Sequence, residues 1–417
     1  MGLTRAHAEA LDAADPLASF RARFAVADPD LCYLDGNSLG RLPLATIEHL
    51  RAVVEEEWGR GLVESWDTWI DLPTRVGDAI APLIGAAPGE VIVADSTTVN
   101  LHDLVDAACQ AAPERSAIVI ADGDFPTDRY VVAGVAASRG MEVRTIPTHP
   151  IDGPTPDDLA TASAPGDVAV AVLSAVDFRS GAILDLRAAA DAAHGGGARL
   201  LADLSHAAGV VPVDLRGSGV DLAVGCTYKF LCGGPGAQAF LYVAAELLPT
   251  LRRPTWGWFA QRDQFVMGAT FDPADDIRRF LAGTPPILAL AAVEEGVRLV
   301  AEAGIAAIRA KSLALGALTQ SLVEERLVPL GFDVASPADA ARRGGHFTIA
   351  HPDAVRIGVG ARARGVIPDV RPPDRIRLGL SPLTTTFAEV WEGIERIAIV
   401  VEAGEHRRVA SDRQRVT

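Results

Sequence analysis

Short apolar runs alternate with longer amphipathic stretches through the middle of the chain. AIVIAD at 117–122, a helical stretch opened by Pro126, EVRTIP, VAVAVLS at 168–174, the helical LDLRAAADAAHGGG and RLLAD at 199–203 read as repeated strand–helix–strand units. These strands are apolar at nearly every position rather than at every second one. Runs of that kind are buried on both faces, as in a parallel sheet covered by helices. Ser174 and Asp203 then sit at the carboxyl ends of their strands, the edge at which open α/β sheets bind ligands.

QAFLYV at 238–243 predicts one more strand, and the PTWGWFAQRDQF passage beyond it is too irregular for a regular element. A helical pattern resumes near Pro285 and continues past 300 toward Arg326. From about 311 the grain changes to the shorter strands FDVAS and HFTIAH, with helices over 353–364 and 386–403. The proline-dense VIPDVRPPD is expected to be a functional loop. The expected fold class is α/β, a mostly parallel sheet sandwiched by helices with a smaller α+β domain. Its division is an N-terminal segment 1–50 that packs with the small domain, a large domain 51–310 and a small C-terminal domain 311–417.

Composition narrows the function. A chain of 417 residues is too long for one small core, and 49% hydrophobic with 22% charged residues is ordinary for a globular enzyme. The 54 acidic against 38 basic residues give a net charge of −16, with no block of Lys or Arg to offset it. Nucleic acid and anionic membrane are therefore not expected as partners, and an anionic ligand must be held by a local cluster of donors. Cys32, Cys109, Cys226 and Cys232 show neither C-x-x-C spacing nor the density of a disulfide framework, which fits a reducing cytoplasm and no metal site. Residues 1–20 lack the apolar core of a signal peptide, and the longest apolar run, VAVAVLSAV, is far short of the roughly 20 residues a membrane helix needs.

Lys229 stands between the apolar VDLAVG run and a Gly-Gly-Pro-Gly turn, with Asp203 and His206 upstream at the end of another apolar run. Pyridoxal phosphate (PLP) needs an amine for its aldehyde, a carboxylate for its pyridinium nitrogen and donors for its phosphate. Lys229 and Asp203 supply the first two. DSTTVNLHDL follows the strand-like EVIVAD and opens a helix, so Thr97 and Thr98 lie where free backbone N–H groups gather and a phosphate can bind. Each residue also has a plainer use. Asp203 could cap a helix, His206 could be a core histidine, Thr97 and Thr98 ordinary caps, Phe125 a core aromatic, and Cys226 and Cys232 buried structural thiols. Arg377 in RIRLGLSPL could clamp a carboxylate, with Arg375 the competing choice.

Taken together, YLDGNSLGRLP, WGRGLVESW, DSTTVNLHDL, GDFPTDRY, DLSHAAGVVPVDL, GVDLAVGCTYKFLCGGPGAQAFLYV, GWFAQ, IRRFLAGTPPILAL and IRLGLSPL resemble the blocks of the kynureninase family, in that family's order, over about residues 31–400. The resemblance implies a fold-type-I PLP enzyme of the class V aminotransferase-like superfamily. Its activity would be hydrolytic Cβ–Cγ cleavage of L-kynurenine or 3-hydroxykynurenine to L-alanine and the matching anthranilate. It would be a cytoplasmic homodimer in tryptophan catabolism, the kynurenine pathway or NAD biosynthesis.

The same resemblance implies Lys229 as the Schiff-base lysine, Asp203 on the pyridine nitrogen, His206 near the ring and Phe125 stacked on it, with Asp128 close by. Thr97, Thr98, Ser174, Tyr228, Trp258 and Thr284 would complete the cofactor site, the last two reaching from the partner subunit. Tyr228 would also relay protons, Arg377 would bind the substrate α-carboxylate, and Trp66 and Asn37 would stand at the mouth of the substrate pocket. The chain departs from the family pattern in the short spacing between Trp66 and Trp69, in DLSHAAG and at Thr384. The alternatives are a cysteine desulfurase-like lyase, which would need a mobile nucleophilic cysteine after Cys232, and a non-catalytic scaffold of the same fold.

Overall fold

The computed structural model describes residues 3–408; the outermost parts of the expected segments 1–50 and 311–417, residues 1–2 and 409–417, lie outside the described residues. In chain order the strands are β1 (Cys32–Leu34), β2 (Val91–Ala94), β3 (Ala117–Ala121), β4 (Glu142–Ile146), β5 (Val168–Ser174), β6 (Arg199–Asp203), β7 (Leu222–Gly225), β8 (Ala239–Val243), β9 (Asp333–Val334), β10 (His346–Ala350), β11 (Val366–Arg371) and β12 (Arg375–Gly379).

Seven of them form a sheet in the order β2-β8-β7-β6-β5-β3-β4. Its pairings are parallel except those of β8, which is antiparallel to both neighbours. A parallel strand needs a crossover, usually a helix, and the glycine-rich turn between β7 and β8 holds none. Alternate residues serve two cores. Val119, Ala171, Leu200 and Ala223 pack on one face with helices Leu72–Ile80 and Ile287–Ala303. Ile120, Val172, Leu201 and Val224 pack on the other with helices Thr97–Gln110 and Pro126–Arg139.

The second sheet runs β1-β11-β12-β10-β9, with β1 parallel to β11 and the other pairs antiparallel. Helices Ile305–Leu322, Ala354–Ala363 and Phe387–Glu402 bury Phe347, Ile349, Ile376 and Leu378 on one face. Thr348 and Arg377, paired across β10 and β12, therefore turn to the opposite face, toward the large sheet.

Two elements differ from expectation. VIPDVRPPD is not a loop: its first six residues are β11, and only the Pro372–Pro373 turn follows. Pro368 is tolerated because it lies beyond the β12 ladder, which begins at Asp369, and pairs only with the short edge strand β1. The helical pattern from Pro285 toward Arg326 is two helices, broken at Gly304, whose φ of 77° no helix accommodates.

Candidate active site

A cavity of about 600 Å³ lies between the carboxyl ends of β5, β6 and β7 and the polar face of the small sheet. Ser174 and Asp203 close their strands in register, and the sequence beyond β7 carries Tyr228 and Lys229 to the same edge. The structure brings eleven expected residues to this wall: Asn37, Thr97, Thr98, Phe125, Asp128, Ser174, Asp203, His206, Tyr228, Lys229 and Arg377. It does not bring Trp66, Trp258 or Thr284. Trp66 packs edge-on to Trp69, with ring centroids 5.5 Å apart, and against Phe259. Trp258 is 44% exposed and donates its indole N–H to the Gln264 carbonyl, and Thr284 is exposed.

The lysine turn is pinned from two sides. Thr227 Oγ1 donates to the Gln238 carbonyl at 2.6 Å, and the Gly40 amide donates to the Tyr228 carbonyl at 2.8 Å. A Cβ on Gly40 would stand 2.3 Å from the Lys229 carbonyl oxygen, so only glycine allows this approach. Lys229 Nζ is 3.0 Å from His206 Nε2.

The threonines open helix Thr97–Gln110 behind the N-cap Ser96, whose hydroxyl accepts from the Val99 amide. First-turn amides have no partner within the helix, so the Thr97 and Thr98 N–H groups and hydroxyls form an anion cradle. Arg253, buried beneath, pairs with Asp95 at 2.7 Å and Asp103 at 2.5 Å and ties the start of the helix to its first turns.

Three buried aspartates set the electrostatics. Burial pushes the Asp203 carboxyl up, while hydrogen bonding to Ser205 and the charge of Lys229 draw it back. Asp203 accepts from the Ser205 amide at 2.8 Å, so it caps a turn and not a helix. Burial, then the charges of Asp203 and Asp124, push Asp128 well above the carboxylate range. Apart from the proton it shares with Asp203, neither Asp128 oxygen has a donor. Asp124 is pushed up to about 7 by burial, against its hydrogen bond from the Ser174 hydroxyl. Orphaned acidic oxygens in a dry site call for a cationic N–H, which a pyridinium presents. On that ground the residues fit PLP.

Arg377 is almost fully buried and braced on three sides. It donates to Asp369 and to the Phe178 carbonyl, and Asn37, with its amide oxygen turned inward, accepts from it at 3.1 and 3.2 Å. Burial draws the guanidinium down to about 10, which leaves it charged at neutral pH. Arg375 is half-buried, pairs with Asp374 and lies two residues further along the same face, outside the cavity and beside Asp333 and His351.

Residues 308–397 match the model of the kynureninase C-terminal domain. Kynureninases of Pseudomonas fluorescens and Burkholderia pseudomallei (strain 1106a) are each 40% identical over 407 residues, 96% of this chain and 96% of theirs. The chain belongs to the kynureninase family. Solved structures share the fold: the apo cysteine desulfurase of Thermococcus onnurineus NA1 superimposes with a TM-score of 0.81 at 16% identity, covering 97% of this chain and 100% of that one. A C-DES mutant with glycine covalently linked to its PLP cofactor gives 0.77 at 18%, covering 89% and 97%.

In this kynureninase-family site several lining residues were not singled out from sequence. Asp35, Ser38, Thr127, Phe178, Ser205 and Arg371 all face the cavity. Asp35 and Ser38 sit in the DGNS run around Asn37, and Thr127 in FPTD, so the blocks carrying the resemblance contained them. Arg371 lies in the VIPDVRPPD run marked as a functional segment, though no single residue of it was picked out, and Phe178 carried no local signal because it reaches the site by tertiary packing. No group of three or more His, Cys, Asp or Glu among the described residues could hold a metal ion, and no described helix is long and apolar enough to cross a membrane.

Proposed function

We propose that this kynureninase-family chain is a hydrolase of carbon–carbon bonds that uses PLP to cleave the Cβ–Cγ bond of L-kynurenine or 3-hydroxykynurenine, releasing L-alanine and the matching anthranilate. The observation that carries the reading is the placement of Lys229 and the Asp203–Asp128 pair in one cavity with Arg377. Bound there, PLP supplies an aldehyde that captures an amino group and a protonated ring that takes up electrons from the bond being broken.

Lys229 would hold the aldehyde and, freed when the substrate amine takes its place, would move the proton at the substrate Cα. Asp203, backed by the proton on Asp128, keeps the ring nitrogen protonated. Thr97 and Thr98 would donate to the phosphate, Phe125 would cover the ring, Ser174 holds Asp124 at the same edge and His206 orients the Lys229 amine. Arg377, steadied by Asp369 and Asn37, meets the α-carboxylate with the edge of its fork that Asp369 leaves open. Tyr228 holds the proton for the departing fragment. The Cys226 thiol beside it, then burial, keep its phenol well above its usual range, so it enters the reaction protonated.

The desulfurase reading is weaker. All four cysteines are buried, and burial pushes the thiols up, to about 11 at Cys32 and Cys109 and about 12 at Cys232. A nucleophilic sulfur needs the opposite.

We read the chain as residues 1–50, 51–310 and 311–417, acting in the cytoplasm as a homodimer. Trp256, Phe265, Val266 and Met267 are all more than 60% exposed beside Trp258, an apolar surface suited to a second copy. In that copy's site Trp258 and Thr284 would complete the phosphate cradle. The experiment is to supply L-kynurenine and follow anthranilate fluorescence and alanine together. Equimolar products are expected, and release of sulfur from cysteine without anthranilate would overturn the reading.

A further inference from the structure

His346, the first residue of β10, is 2% exposed, and neither of its ring nitrogens has a hydrogen-bond partner. It comes from the small sheet, yet its ring meets that of His206 edge to face, with centroids 5.3 Å apart. His206 is also buried, and its Nδ1 has no partner either. Three polar nitrogens thus lie without partners in one dry spot behind Lys229, where buried polar groups are ordinarily satisfied. Gly181 seals it: a Cβ there would stand 3.3 Å from His346 Nε2 and 2.9 Å from the His346 carbonyl.

Both rings are neutral. Burial, joined by the positive charges of Lys229, Arg377 and Arg371, pulls each well below the usual histidine range. A neutral imidazole has one donor and one acceptor, and the partner of one nitrogen decides which tautomer forms. An ammonium at Lys229 can only donate, so His206 Nε2, 3.0 Å away, offers it a lone pair only in the tautomer that carries the proton on Nδ1. That buried Nδ1–H needs an acceptor. At this spacing a turn of the His346 ring can bring one of its nitrogens toward His206 Nδ1 while Nε2 keeps its contact with Lys229.

We propose that His346 is a positioning residue: it accepts the Nδ1 proton of His206 and so aims the His206 Nε2 lone pair at the Lys229 amine. This rests on the reading of Lys229 as the group that moves the substrate proton. It also makes the small sheet part of the apparatus that orients the lysine.

The test compares His346→Phe, which keeps a ring without nitrogen, with His346→Gln, which keeps an acceptor. Side-chain nitrogen NMR of the full-length protein labelled at histidine, with His206→Phe assigning the signal, reads the tautomer before PLP is added and after. Wild type and His346→Gln should show the Nδ1–H form of His206, and His346→Phe should lose it. With L-kynurenine, kcat should fall about 10- to 100-fold in His346→Phe at nearly constant KM, and His346→Gln should recover most of it. An unchanged tautomer in His346→Phe overturns the proposal, as does a glutamine variant no better than phenylalanine, which would mean the ring only fills space. Should His346→Phe not fold, His346→Met against His346→Gln makes the same comparison. If the wild type leaves kynurenine uncleaved, the activity reading fails, while the tautomer measurement still decides the role of His346.

Discussion

At the scale of single residues, the two arginines of β12 make the sharpest comparison. Arg377→Lys should raise KM for L-kynurenine while leaving cofactor absorbance intact, because a point charge cannot replace a planar fork at a carboxylate. The loss in kcat/KM should be about 2–4 kcal/mol, and Arg375→Lys, outside the cavity, should be nearly silent. The aspartates make a second. Asp203→Asn should keep some cofactor yet lower kcat about 100-fold or more, whereas Asp128→Asn should cost far less, since burial already holds Asp128 protonated and an amide still donates. Anthranilate fluorescence separates them, and equal losses would show that the proton sits elsewhere. Much of this site was legible in sequence because strand ends and glycine turns mark where chemistry is placed. Arg375 and Arg377 stand two apart on β12 and share a face, so they could not be told apart until the fold fixed which of them lies over the cavity, and His346 could not be seen because its neighbour His206 stands in the turn after β6 of the other sheet.

At the scale of elements, the strand–helix alternation gave β3, β5, β6 and the helix from Pro126 close to their observed bounds, since strands buried on both faces leave an unbroken apolar signature. β11 was hidden by its prolines, and the break at Gly304 by an apolar pattern that continues on either side of it. The contact between the DGNSLG segment and the lysine turn was invisible in sequence and is testable. Gly40→Ala should displace the Lys229 backbone, lower stability by about 1–3 kcal/mol in urea unfolding and weaken PLP binding. Gly134→Ala, where an added methyl meets no atom, is the control and should leave PLP affinity unchanged.

For the whole molecule, the buried carboxyls make cofactor binding and stability one problem. Asp124 and Asp128 have folded pKa values above their unfolded ones, so between pH 6.5 and 8 the folded state holds more protons and loses stability as pH rises. His206 and His346 oppose this only below about pH 6.5, where the unfolded chain protonates them. The melting temperature of cofactor-free protein should therefore fall from pH 6.5 to 8. Saturating PLP, whose pyridinium stabilises the ionised carboxylates, should flatten the fall, and parallel curves would show that these groups do not couple to the cofactor. A different consequence follows from β1, which joins the small sheet beside a strand more than three hundred residues later in the chain. During synthesis the segment carrying Asn37 and Gly40 leaves the ribosome well before its docking partner β11. The large sheet can form while that segment waits, so the cavity between the two sheets closes only after β11 has been made.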